Sequence, residues 1–434
     1  MNPLSGIIGG VRSRLESRLV LTVLVALHSA VTCLSLIKVA TVQPYIHFSG
    51  ERVWIAVAVS LAFSVVSLLF VFARFSFGYF VGFYFYTMVL GFLWIEVFSD
   101  YSYARLPAGI SAALSLLLFL MPVLFIRAPF RQSVVLSNAN FEHLLTLILV
   151  LSVATIAVAS TYNFRLVAIA HIYDYRDALE SPGAVRYLTG WVSSTLLPFA
   201  FACYWLLGHR WRAALVLVLL LLFYPITLTK SALFTPVWLI VLVVLARLRD
   251  MRTSVILSLF LPMLFGRLLT FISIWPIGDF ARFYFNLVNI RMISAASSAL
   301  DIYNHFFASH PLTWFCQISV LKPLTHCPYQ DPLAVVMQNT YGFGNLNASL
   351  FATEGVASVG IYLAPLAALV SGLVLALGNR ASAGLPPRFV LMSAGVLPQV
   401  LLNVPLSVAM LTHGTAILFL LWYVMPRSPF EQEP

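Results

Sequence analysis

Residues 212–246 read RAALVLVLLLLFYPITLTKSALFTPVWLIVLVVLA. A membrane crossing takes ~20 mostly apolar residues, so this stretch is too long for one helix and short for two. Either the chain turns back at Thr229-Lys230-Ser231, or a single broken helix crosses and every later segment changes side. Working outward, candidate spans fall at 19–40, 53–73, 79–98, 107–126, 142–160, 188–207, 212–228, 232–246, 253–274, 356–378, 388–403 and 405–425. Lys and Arg in short loops mark the cytoplasmic side. With a turn at Lys230, Arg12, Arg14, Arg18, Arg74, Arg127, Arg131, Arg210, Arg212, Arg247, Arg249, Arg252, Arg380, Arg388 and Arg427 all fall on one side. Most acids, among them Glu51, Asp100, Asp174, Asp177, Glu180, Asp279, Asp301, Asp331 and Glu354, fall on the other. About twelve transmembrane helices with both termini cytoplasmic is the consistent reading.

Composition agrees. The chain has 434 residues, of which 61% are hydrophobic and only 9% charged. Its mean hydropathy of +0.95 leaves too little polar surface to cover a water-soluble globule. A net charge of +10 would suggest nucleic acid in a soluble protein. Here it is topological, and the expected surroundings are membrane lipids with no nucleic acid. The run from Leu19 to Ala40 after a basic start is long for a signal peptide and reads as an uncleaved first span. The expected class is an all-α polytopic integral membrane protein. It forms a single transmembrane domain, 1–434, with two external loops, 161–187 and 275–355, that carry short helices.

Those loops hold the chemistry-bearing residues. Between Asn289 and Ser309 a helical stretch ends at Pro311. Arg291, Ser294, Ser298, Asp301 and His305 follow spacings of 3, 4, 3 and 4, which place them on one face. That face could bind an anion and move a proton, or be the solvated side of an interfacial helix. In 161–187, His171-Ile-Tyr173-Asp174-Tyr175-Arg176-Asp177 mixes aromatics, carboxylates and a guanidinium. Such a mixture suits sugar faces, hydroxyls and phosphate, and equally an interfacial aromatic belt. Ser181 and Pro182 are expected as N-cap and first helical residue, with Arg186 in the first turn.

Lys230 either meets a lipid phosphate or snorkels to headgroups. Arg267, inside a span, needs a partner or water, and Glu96 is a candidate partner. Glu354 precedes Gly355 and Gly360 where the tenth span begins, a place that also suits a carboxylate at a helix N-terminus. Cys316 and Cys327 share the long loop and are either a disulfide, if that loop faces an oxidising compartment, or two unrelated thiols. His305, His310 and His326 lack metal-ligand spacing, so no metal site is expected. No Walker, dinucleotide or nucleophile-elbow motif appears in the right context.

With these residues in view, the chain resembles the bacterial O-antigen and oligosaccharide repeat-unit polymerases (Wzy type). RMISAASSALDIYNHFFASHP, from Arg291 to Pro311, is similar to their Arg, Tyr, Phe-Phe and His-Pro pattern. Phe351-Ala-Thr-Glu354-Gly355 with Gly360, Tyr175-Arg176 and Thr229-Lys230-Ser231 match further positions, over about 160–375. The N-terminal half matches only in hydropathy.

The resemblance implies a GT-C-like fold in the bacterial inner membrane and a metal-independent glycosyltransferase without cofactor. Donor and acceptor would both be oligosaccharides on undecaprenyl diphosphate, joined at the periplasmic face, with a chain-length regulator as partner. It implies Arg176, Arg186, Lys230 and Arg291 at the diphosphate. His305, Glu354 and Asp301 are the implied proton acceptors, and Tyr173, Asp174, Tyr175, Tyr303 and His310 would bind sugar. An O-antigen ligase shares this architecture. A flippase or other transporter is the rival from another class, and would favour short loops and internal symmetry.

Overall fold

A computed structural model describes residues 3–176, 179–248, 250–272, 277–318, 321–343 and 346–427. Within them the chain is helical, apart from one isolated antiparallel bridge between Ile46 and Ser99. Eight helices among the described residues are long and apolar enough to cross a membrane: Ser17–Val39, Val53–Phe72, Phe77–Phe98, Arg105–Phe125, Asn138–Tyr162, Arg210–Thr227, Met251–Phe271 and Phe351–Ser382. At 1.5 Å per residue a 20-residue helix spans about 30 Å, the thickness of the hydrocarbon core.

The deciding stretch is a hairpin. Leu228 adopts the left-handed conformation (φ 46°, ψ 44°) and ends the first arm. Thr229 then caps the second arm, Lys230–Leu245, by accepting from the Ala232 amide. Helices Arg210–Leu222 and Lys230–Leu245 pack on each other, as two arms do and one broken helix cannot. A left-handed Leu costs about 1–3 kcal/mol. Its side chain is fully buried with Ile172 and Tyr224, which offsets that cost.

Two expected spans are interrupted. Segments 388–403 and 405–425 form helices Pro387–Ser393, Leu397–Asn403, Leu406–Leu411 and Thr415–Val424. Val404 is extended because a residue before proline is pushed out of the α region. Gly414 has φ 76° and starts the last helix. At Gly395 the chain passes so close to Leu242 that a Cβ would collide with it, and the Gly395 carbonyl accepts from Trp238 Nε1 at 2.9 Å.

Contacts divide the chain into two compact units. One comprises 1–75, 82–125 and 252–373, the other 76–81, 126–251 and 374–434. In the first, the helix beginning at Phe77 is buried on nearly all sides from Gly82 onward. Gly91 admits Ser297, whose hydroxyl donates to the Met88 carbonyl at 2.8 Å. Asn289 donates to the Met263 carbonyl at 2.9 Å. Helix Ala295–Phe307 therefore packs against spans, and all but two of its residues, Ala295 and His305, are buried. The reading of its polar stripe as a solvated face is wrong, because neighbouring elements cover that face. We expect Gly91→Ala to lower stability by about 1–3 kcal/mol, since a Cβ there must displace Ser297. Thermal unfolding in detergent measures this.

In the second unit, loop 163–168 sits on the tip of the hairpin. Asn163 Nδ2 donates to the Pro225 and Ile226 carbonyls, the Arg165 amide to Pro225, and the Tyr224 hydroxyl to Val167. The short helix Ile172–Arg176 follows.

Candidate functional site

The predicted site residues fall in both units. Arg291, Asp301, Tyr303, His305, His310, Cys316, Cys327 and Glu354 belong to the first, and Tyr173, Asp174, Tyr175, Arg176, Arg186 and Lys230 to the second. Each unit holds its own polar centre.

In the first unit the centre is Asp301, whose side chain is fully buried. Ser99 Oγ donates to its Oδ2 at 2.7 Å, and the Tyr103 hydroxyl donates to Oδ1. Arg105 Nη2 donates to the carbonyls of Ser99 (2.6 Å) and Tyr101 (3.2 Å), which fixes the loop that presents both donors. The bridge at Ile46 braces it, with the Asp100 amide donating to the Tyr45 carbonyl at 2.9 Å. Burial raises the Asp301 pKa to about 6, against the hydroxyl donors and Arg105, which lower it. The Tyr103 hydroxyl is pushed up by burial and by that carboxylate.

Glu96 is also buried here, close to Asp301 and Arg105, and its Oε2 has no hydrogen-bond partner among the described residues. Its cation is Arg105; Arg267 instead bonds to Thr270, one turn on.

His305 lies one turn beyond Asp301. Tyr45 stacks on Tyr101 (4.7 Å between ring centroids), and Tyr101 stacks on His305 (4.6 Å). His305 Nδ1 is hydrogen-bonded to the Tyr341 hydroxyl at 2.6 Å. Burial, and then the nearby His310, lower its pKa. His310 is exposed, stacked on Phe306 at 3.9 Å, and its Nδ1 lies 2.8 Å from the Phe306 carbonyl.

Arg291 does not continue the stripe. Residues Ile290–Ser294 form a π-turn, which adds a residue and rotates the preceding face, and Arg291 is exposed. Tyr303 is buried and feels the charge of Glu354, which raises its pKa further beyond the effect of burial. Glu354 is itself buried on a second π-turn, Phe351–Ala357, and accepts from Thr353 Oγ at 2.5 Å. Cys316 and Cys327 form a disulfide, with Cα atoms 5.3 Å apart.

In the second unit a cavity of about 410 Å³ opens beside the hairpin. Arg186, Glu180, Ser181 and Asn163 line it together with Thr189, Ser193, Ser194, Thr227, Thr229, Ser231, Thr235, Thr412 and His413. Apolar wall comes from Ala159, Val185, Leu220, Ile226, Val396 and Val400. Thr229 and Ser231 flank Lys230, which starts the second arm. Pro182, not Ser181, is the N-cap of helix Gly183–Trp191, so Ser181 is left to line the cavity. His171 Nδ1 lies 3.0 Å from Asp174, and Arg165 lies over the Tyr175 ring at 5.8 Å. The side chains of Tyr173 and Arg176 lie outside the described part of the structure, as does Asp177.

Sequence reasoning missed Tyr45, Ser99, Tyr101, Tyr103, Arg105, Tyr341 and His413, and named Glu96 only as a partner for Arg267. The signal for four of them was present: SDYSYAR, 99–105, packs two tyrosines, an arginine and two serines between two spans. Among the described residues no three of His, Cys, Asp and Glu come together as metal ligands. No protein-family model, no curated protein and no solved structure matches this chain.

Proposed function

We propose that the chain is a membrane glycosyltransferase that polymerises undecaprenyl-diphosphate-linked oligosaccharide repeat units into an O-antigen or related surface polysaccharide. The observation that carries this reading is the cavity of about 410 Å³ lined by Arg186, by apolar residues and by many serines and threonines. An amphipathic substrate with a polyprenyl chain, a diphosphate and sugars needs those three surfaces together. Negative charge builds on the leaving diphosphate, and fixed cations facing it stabilise the transition state. Arg186 takes that role, with Lys230, at the start of the second arm, from the same unit.

In this reading the eight long helices are completed to twelve crossings by 188–207, 232–246, 388–403 and 405–425. Both termini are cytoplasmic, and loops 161–187 and 275–355 face the periplasm of a bacterial inner membrane. The disulfide supports the placement of the second loop, since such bonds persist in oxidising compartments. We expect Cys316 and Cys327 to stay unlabelled by a membrane-impermeant maleimide in spheroplasts until a reductant is added. Labelling without reductant would place the thiols free and remove that support. Closing a loop of this size contributes about 3 kcal/mol, so Cys316→Ser should lower the unfolding midpoint measurably.

The deciding experiment is a lipopolysaccharide gel of a deletion strain beside the complemented strain. Collapse of the ladder to core plus one repeat unit is the expected result. Loss of even that single unit would move the assignment to a ligase or a flippase.

A further inference from the structure

His413 is a lone histidine in an apolar C-terminal stretch, and the loop that carries it is pinned at every residue. Trp191 Nε1 donates to the Leu411 carbonyl, and Thr195 Oγ donates to the His413 carbonyl at 2.7 Å. Gly190 lies so close to the Thr412 carbonyl that a side chain there would collide with it. Gly414 takes the left-handed conformation that ends the loop. All of these contacts come from the helical run that begins at Gly183 and carries Arg186. Ser194 Oγ lies 3.0 Å from His413 Nδ1, which orients the ring, and both residues line the cavity. A loop so thoroughly fixed to present one imidazole to a cavity is built for more than packing. The other titratable groups lining that cavity are Tyr162, Glu180 and Arg186.

Ser194 lies eight residues beyond Arg186, about 12 Å along the helix axis. A diphosphate-linked sugar can bridge that distance, with its phosphates at Arg186 and its ring among the hydroxyls near His413. We propose that His413, oriented by Ser194, is the proton acceptor for the attacking sugar hydroxyl. This rests on the glycosyltransferase reading given above. Nδ1–H donates to Ser194 Oγ, and Nε2 takes the proton of the acceptor hydroxyl. The acceptor oxygen bonds to the anomeric carbon, while the bond from that carbon to the phosphate oxygen breaks. The diphosphate leaves with the electron pair beside Arg186. The role falls to His413 rather than to His305 because His413 lines the same cavity as Arg186, whereas His305 belongs to the other unit.

The test uses full-length protein in membranes that hold the cell's own lipid-linked repeat units, with polymer length read on gels from about pH 3 to pH 9. His413→Asn keeps an amide where Nδ1 meets Ser194 and removes Nε2. Its expected rate is about 100-fold or more below wild type, the usual worth of a general base. Its residual activity should lack the acid limb of the wild-type pH profile. His413→Ala should be partly restored by added imidazole, and Arg186→Ala should not. A His413→Asn protein with near wild-type rate, or one whose residual activity keeps the acid limb, overturns the proposal. A wild-type protein that makes no polymer overturns the glycosyltransferase reading itself, which is a separate failure.

Discussion

Asp301→Ala is expected to remove most folded protein from the membrane. The substitution strips two hydroxyl donors, Ser99 and Tyr103, of their acceptor in a fully buried place, and leaves Arg105 facing Glu96 alone. Removing one partner of a buried charged network costs about 3–5 kcal/mol, a large share of the 5–15 kcal/mol by which a typical domain is stable. Asp301→Asn keeps an acceptor and should cost less. It should also change the pH dependence of stability. The folded carboxyl has its pKa raised to about 6 from an ordinary 3.8, so between these values the folded state binds more protons than the unfolded one. Stability from this group therefore falls as pH rises from about 4 to about 6 and is flat above. Unfolding midpoints in detergent across that window, wild type beside Asp301→Asn, check the sign. A wild-type curve that rises through the window would refute the assignment.

Arg186→Ala is expected to abolish polymer formation while leaving the protein at wild-type level in the membrane. Arg186 is exposed on the cavity wall, so its loss leaves no buried orphan. The loss of one positioned electrostatic group costs about 100- to 1000-fold in rate. Lys230→Ala should act in the same direction. Arg210→Ala is the control: that side chain is exposed, lies over the Trp205 ring at 3.8 Å and donates to the Trp205 carbonyl. Ladders from strains carrying each variant, normalised to immunoblot, compare the three. Wild-type chain length in Arg186→Ala would end the diphosphate assignment.

Much of the fold could be read from hydropathy, because a membrane span is a local property of the chain. The turn at Lys230 needed the Arg alternation of the whole chain, and the left-handed Leu228 that makes it carries no signature of its own. Pro405 and Gly414 are breakers visible within one expected span, 405–425, whose hydropathy is nonetheless that of a crossing. Site residues were legible where they cluster in sequence, as at 171–177. They were not where a helix brings distant segments together: Asp301 meets Ser99 across 202 positions, and Ser194 meets His413 across 219. Burial of the 295–307 helix was hidden too, since Asp301 and His305 look solvated until their neighbours are in place.

Among the described residues three helices contain a wide turn: Val192–Leu196, Ile290–Ser294 and Phe351–Ala357. One holds Ser194, one Arg291 and one Glu354. Such a turn stores one residue beyond the α-helical count, and each residue of an α-helix subtends about 100°. The stored residue is thus a phase setting. A helix that kept the same residues but closed any of these turns to regular α geometry would have the same hydropathy and nearly the same length of span, to within about 1.5 Å. Everything on one side of that turn would nonetheless point about a quarter-circle away from its present neighbours. In this protein length and composition are interchangeable across much of the bilayer, but at three addresses a single residue decides which way the chemistry faces.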